Sequence, residues 1–200
     1  LVPINLRLHP KQGLALQMLV RLGRREEAIE RVETMVGDAR TSGVARTILS
    51  AQLTAASVEI WLGDFPSVGS RLAEIDELRG TWHAEPGQIS SLIDSLHGAV
   101  AIHRGDLDAA EARLRSAVDS AIRSQDQPVV GALAISVGTY ALARGDVATA
   151  VRAVDFATSM IGAYDASHPE VVAIAAAARE RGIGRPSTEV PERPLEIAEL

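Results

Sequence analysis

Apolar residues recur at every third or fourth position through most of the chain, and glycine breaks the runs at intervals. AIHRGDLDAAEARLRSAV, Ala101 to Val118, shows the pattern: one apolar run stops at Arg104-Gly105-Asp106 and another begins at once. WLGDFPSVGSRLAEI, from Trp61, and LARGDVATAVRAV, from Leu142, are punctuated the same way. Gly23, Gly63, Gly105 and Gly145 stand 40, 42 and 40 residues apart. A fixed spacing of that order marks a repeated structural unit. Other positions fall into register with it. Seven residues before each glycine stand Leu16, Ala56, Gly98 and Gly138, and five after stand Ala28, Val68, Ala110 and Ala150. Nine after come Val32, Leu72, Leu114 and Val154, and twelve after come Met35, Ile75, Ala117 and Ala157. Steps of four and three residues put these on one helical face. The small residues before the glycine and five beyond it let two helix backbones approach closely.

Each unit therefore reads as a first helix, a tight glycine turn, a second helix and a short polar link. The predicted helices are 10–22 and 25–40, 45–62 and 65–79, 86–103 and 107–124, 128–143 and 147–162, with a final helix at 169–181. No alternation of the strand type is present. Gly105 is suited to the left-handed conformation that closes a helix. Asp106 then accepts from the free amides opening the next helix, where its charge also suits the dipole; Asp64 and Asp146 repeat the arrangement. The first unit differs, with Arg24 in the Asp position and Glu26 and Glu27 supplying the negative charge. Pro86, Pro128 and Pro169 follow Gly63, Gly105 and Gly145 by 23, 23 and 24 residues and are expected at the first position of a helix. The expected fold is all-α: an α-solenoid of about four helix-turn-helix units plus a C-terminal capping helix. Residues 1–9 form a lead-in, 10–181 the helical array, and 182–200 a Pro-rich tail expected to be extended or disordered up to Pro194. The last six residues, LEIAEL, suit one helical turn against a partner or a neighbouring domain. The opening LVPINLRLHP lacks an initiator Met and is not of secretion-signal type, so the chain is expected to be a piece of something longer.

Composition sharpens this. Hydrophobic residues make up 46% but aromatics only 3%, so the core must be built from Ala, Leu, Val and Ile in close-packed helices. The net charge is −6, without a basic cluster, which argues against direct nucleic-acid contact by this segment. There is no cysteine, hence no disulfide framework, thiolate zinc site or thiol nucleophile, and a cytoplasmic location is the simplest expectation. No apolar run approaches the roughly 20 residues of a membrane span. Lys11 is the single lysine against 19 arginines, a bias that fits a high-GC genome.

Catalytic and cofactor chemistry finds no foothold. His9, His83, His97, His103 and His168 include no pair at i, i+4 and no HExxH, so they read as solvent, groove or link residues rather than metal ligands. There is no GxSxG. Gly182-Ile183-Gly184-Arg185 follows no strand and precedes Pro186, so it is not a phosphate loop. Glu27 and Arg31 read as an i, i+4 surface pair, not part of a carboxylate cluster. No nucleophile, base and orienter can be assembled, so no enzyme activity, no cofactor and no metal is expected.

The pieces GRREEAIERV (Gly23 to Val32), GDLDAAEARL (Gly105 to Leu114) and GDVATAVRAV (Gly145 to Val154) carry Gly, then Ala five residues on, then an apolar residue four later. This resembles the tetratricopeptide repeat, with longer second helices or links than its usual period of about 34 residues. The run from Gln125 to Glu180, with Gln127-Pro128-Val129-Val130, Ala143-Arg144-Gly145-Asp146 and Ser167-His168-Pro169-Glu170, also resembles the C-terminal helical array of actinobacterial multidomain transcriptional regulators, of the antibiotic regulatory protein class or the ATP-dependent LuxR-like class. The resemblance implies an interaction or sensor module accompanied by DNA-binding and switch domains.

In solenoids of this kind the first helices line the concave face. The candidate groove residues are then Leu53, Ser57, Ile60 and Trp61; Ser95, Ala99, Ile102 and His103; Ile135, Thr139 and Leu142. The face is small and apolar with some hydroxyls, and has no Lys/Arg/Asn clamp for a peptide carboxylate. It suits an apolar helix or extended segment from a protein partner, an adjoining domain of the same polypeptide, or a second copy. A homo-oligomerisation scaffold with stacked terminal units is the alternative. Trp61 ends a first helix and Trp82 lies in the next link, either as a plug between the second and third units or as partly exposed anchors. Tyr140 and Phe156 are expected in packing between units.

Overall fold

The computed structural model describes residues 9–79, 87–162, 166–184 and 186, with no account of the side chains of residues 9–12. The described residues are helical, without strands. The chain divides into two compact units, Leu1–Ala84 and Glu85–Leu200. The first holds α1 (His9–Arg21), α2 (Arg25–Thr41), α3 (Ala45–Leu62) and α4 (Phe65–Arg79). The second holds α5 (Gly87–His103), α6 (Leu107–Ser124), α7 (Gln127–Ala143), α8 (Val147–Ile161) and α9 (Pro169–Glu180). These bounds match the apolar periodicity to within one residue. No described helix is long and apolar enough to cross a membrane.

The glycine–aspartate punctuation acts as its chemistry requires. Gly105 and Gly145 sit at φ 74° and 82°, the left-handed region in which a Cβ is costly. Asp106 then accepts from the Ala109 amide at 3.1 Å, Asp146 from Thr149 at 3.0 Å and Asp64 from Ser67 at 3.3 Å. Arg24 makes no side-chain cap; it pairs with Glu27 in the first turn of α2. Pro128 departs from expectation. It is the second residue of α7, because Asp126 caps that helix by accepting from the Val129 amide at 3.3 Å. The amide a proline lacks is unpaired at either position, so the helix tolerates the shift. Pro169 does open α9, while Pro86 lies outside the described residues.

Within each pair the helices meet through the small positions. A Cβ on Gly98 would come within 3.0 Å of Leu114, and one on Gly138 within 3.2 Å of the Ala150 carbonyl oxygen. Ala28, Val68, Ala110 and Ala150 are fully buried. In the first unit α1 packs on α2 and α3, α2 on α3, and α3 on α4. In the second, α5 packs on α6 and α7, α6 on α7, α7 on α8, and α9 on α7 and α8. Phe156 is buried among Ala134, Val154, Val171 and Ile174, where three helices converge.

Candidate interaction site

In the first unit, Leu53, Ser57, Ile60 and Trp61 all lie on α3 and all are half-buried. The Ser57 hydroxyl donates to its own helix, at the Leu53 carbonyl, 2.9 Å away. The Trp61 ring lies beneath the Arg21 guanidinium of α1, 5.3 Å from centroid to charge, a cation–π contact that shields one indole face. Trp82 lies outside the described residues.

In the second unit, α5, α7 and α9 lie side by side as neighbours of α7. Ala99, Ile102, Thr139 and Leu142 are half-buried, and His103 is exposed at the end of α5. Ser95 uses its hydroxyl to hold α5 to α7, 3.0 Å from the Ser136 hydroxyl. Ile135 differs from the expectation of a groove-lining side chain. It is 7% exposed and packs in the core cluster with Ala134 and Val154, because α7 is flanked on both sides and its interhelical positions turn inward.

The Thr139 hydroxyl has one proton to give, either to the Ile135 carbonyl at 3.1 Å or to Glu170, in the first turn of α9. Burial pushes the Glu170 carboxyl up to about 7, and the Thr139 bond opposes that shift. His168 Nδ1 stands 3.9 Å from the Glu170 carboxylate. The sequence did not mark Glu170, since an acid in a first helical turn already has a local role beside the helix dipole. The face of α5 and α7 beside α9 therefore combines small apolar surface, paired hydroxyls and one carboxyl that burial raises to about 7.

Each unit also carries a polar pairing at matching positions of the sequence period. Arg71 of α4 donates from Nε to Glu59 at 3.0 Å and from Nη1 to Gln52 at 3.4 Å, and it also pairs with Glu33 of α2. Burial holds the Glu59 carboxyl above its usual range, against the pull of Arg71. Burial works against the charge of Arg71, and Glu59 and Glu33 more than offset it. In the next pair Arg113 donates to Asp94 at 3.1 Å, and Ser116 to the same carboxylate at 2.7 Å. Gln52 and Asp94 stand 11 residues before their turn glycines, and Arg71 and Arg113 stand 8 after. The next pair has Ala134 and Ala153 at these places, both buried. The carboxylates here are engaged by guanidinium or hydroxyl groups, an arrangement suited to fixing helix register rather than to moving protons. No group of three His, Cys, Asp or Glu among the described residues is placed to hold a metal ion.

No protein-family model matches the chain, and no curated protein matches it.

Proposed function

We propose that the chain is a protein-interaction module: a tetratricopeptide-like α-solenoid serving as the interaction or sensor part of a cytoplasmic bacterial transcriptional regulator. The face carried by α5, α7 and α9 takes an apolar segment of a protein partner or of an adjoining domain. The observation that supports this most is the partly open apolar surface of that face. Ala99, Ile102 and Leu142 leave apolar surface partly open on neighbouring helices, while the nearby hydroxyls of Ser95 and Thr139 are already paired. A partner's apolar side chains meet hydroxyls there that are already paired, so covering those hydroxyls is inexpensive. The mechanism is mechanical. A segment that binds one packing of the helices better than another shifts the balance between them, and an adjoining switch domain reads the shift. DNA contact is left to another part of the regulator, in keeping with the net charge of −6.

A photo-crosslinking residue at Ala99, compared with one at exposed Arg115 on α6, tests the reading in the cells that encode the protein. Crosslinks to one distinct protein, or to another part of the same polypeptide, from Ala99 alone are expected. Equal crosslinking from both positions, or none from Ala99, overturns the assignment.

A further inference from the structure

The first unit carries another surface, distinct from the face proposed in the second. Leu14 and Met18 on α1, with Leu22 in the turn that follows it, are 59%, 40% and 67% exposed. They are spaced four residues apart, so they form one ridge along the helix. Exposed apolar side chains scattered singly need no explanation, but a contiguous ridge does. Ala15, beside Leu14 in the chain and itself exposed, lines a groove of about 540 Å³ between α1 and α2. Leu16 and Met35 form its buried floor. Its wall is a single face of α2 carrying Glu27, Glu30, Thr34 and Asp38, with Arg31. Arg31 pairs with Glu27 at 2.7 Å, which leaves the wall net negative through Glu30 and Asp38. The ridge and the acidic wall thus run along the same helix pair and share an edge at Ala15.

We propose that this ridge and groove dock a basic amphipathic helix of a partner protein, whose apolar stripe lies on Leu14, Met18 and Leu22 and whose Lys or Arg side chains reach Glu30 and Asp38. An apolar ridge of this spacing complements the i, i+4 anchors of a partner helix. The charge of the wall selects the flanks of that helix, since like charges brought together at an interface are strongly disfavoured. Charge also separates the other occupants from this one. An anionic membrane surface or nucleic acid meets a wall of its own sign. A second copy that met this ridge with its own would bring two acidic walls together in a chain of net charge −6.

Two synthetic amphipathic peptides with one apolar stripe test the proposal, one flanked by lysines and its twin by glutamates. Binding of each to the whole chain is read by fluorescence anisotropy at near-physiological ionic strength. The lysine peptide is expected to bind at least about tenfold more tightly than its twin. Glu30→Lys with Asp38→Lys is expected to invert that order. Leu14→Ser, Met18→Ser and Leu22→Ser together are expected to weaken the lysine peptide by about tenfold or more, with circular dichroism unchanged because these side chains are exposed. Failure of the lysine peptide to bind, or equal binding to wild type and both variants, overturns the proposal. So does a dimer of the wild-type chain, seen by light scattering, that disappears in the triple serine variant, for then a second copy covers the ridge. Ala99→Arg, on the proposed face of the other unit, is expected to leave peptide binding unchanged, which separates this surface from the one proposed there.

Discussion

Replacing Arg71 by Met keeps side-chain volume while removing the cation that faces a buried acid. Glu59 is only 5% exposed and receives its Arg71 hydrogen bond at 3.0 Å. Removing one partner of such a pair leaves an uncompensated charge and costs about 3–5 kcal/mol. The contact of Arg71 with Glu33 adds little, because the Glu33 side chain is 58% exposed and water screens it. A loss of that size is a large part of the total stability of about 5–15 kcal/mol usual for a domain. The defect is also pH-dependent. Burial already holds the Glu59 carboxyl above its ordinary value and Arg71 opposes this, so without Arg71 the carboxyl rises further. A carboxyl raised in the folded state contributes stability that is complete below its unfolded pKa and lost as pH rises through the folded one. Arg71→Met is therefore most destabilised near neutral pH and recovers on acidification, as Glu59 takes up a proton. Trp61 and Trp82 are the only two tryptophans and both belong to the first unit, so urea titrations followed by tryptophan fluorescence report on that unit. Adding Glu59→Gln is expected to restore most of the loss. A neutral-pH midpoint equal to that of wild type, or a deficit that does not shrink in acid, refutes the reasoning.

Four further outcomes follow from local geometry. Gly138→Ala puts a Cβ 3.1 Å from Ile174 Cδ1 and 3.2 Å from the Ala150 carbonyl oxygen. The overpacking cost of about 1–3 kcal/mol outweighs the helix-propensity gain of about 1 kcal/mol, whereas Gly37→Ala in α2 meets nothing within 4 Å and is expected to raise the melting temperature. Gln125 closes α6 at φ 54°, so Gln125→Gly is expected to stabilise the second unit by about 0.5–1 kcal/mol in urea titrations followed by circular dichroism. Glu170, raised to about 7 by burial, makes the second unit lose stability as pH rises through that value, and Glu170→Gln flattens the dependence; a carboxyl resonance titrating near 4.5 contradicts this.

The sequence made the helices legible because glycine, aspartate and small residues each act locally. A left-handed turn needs Gly105, a cap needs Asp106, and a close crossing needs Gly98 opposite Ala110; none depends on distant parts of the chain. What stayed hidden depends on tertiary placement. Gln52 meets Arg71, and Asp94 meets Arg113, across a turn and 19 residues of sequence. The register of apolar positions passes over these pairs, although the Ala134 and Ala153 substitutions of the next repeat mark the same two places. Ile135 and Leu142 share one face of α7, yet only Leu142 keeps part of its surface open, because burial is set by which neighbours flank the helix. Asp126 caps α7, whereas Pro128 drew the expected start of that helix one residue too far along.

The claim that this chain binds a different protein, rather than assembling with itself, is tested most directly by size-exclusion chromatography with light scattering across a range of concentrations. The mass of one chain is expected at every concentration, 21.2 kDa for the whole chain and correspondingly less once residues 187–200 are removed. A stable dimer that survives removal of that tail contradicts it and favours a self-assembling scaffold.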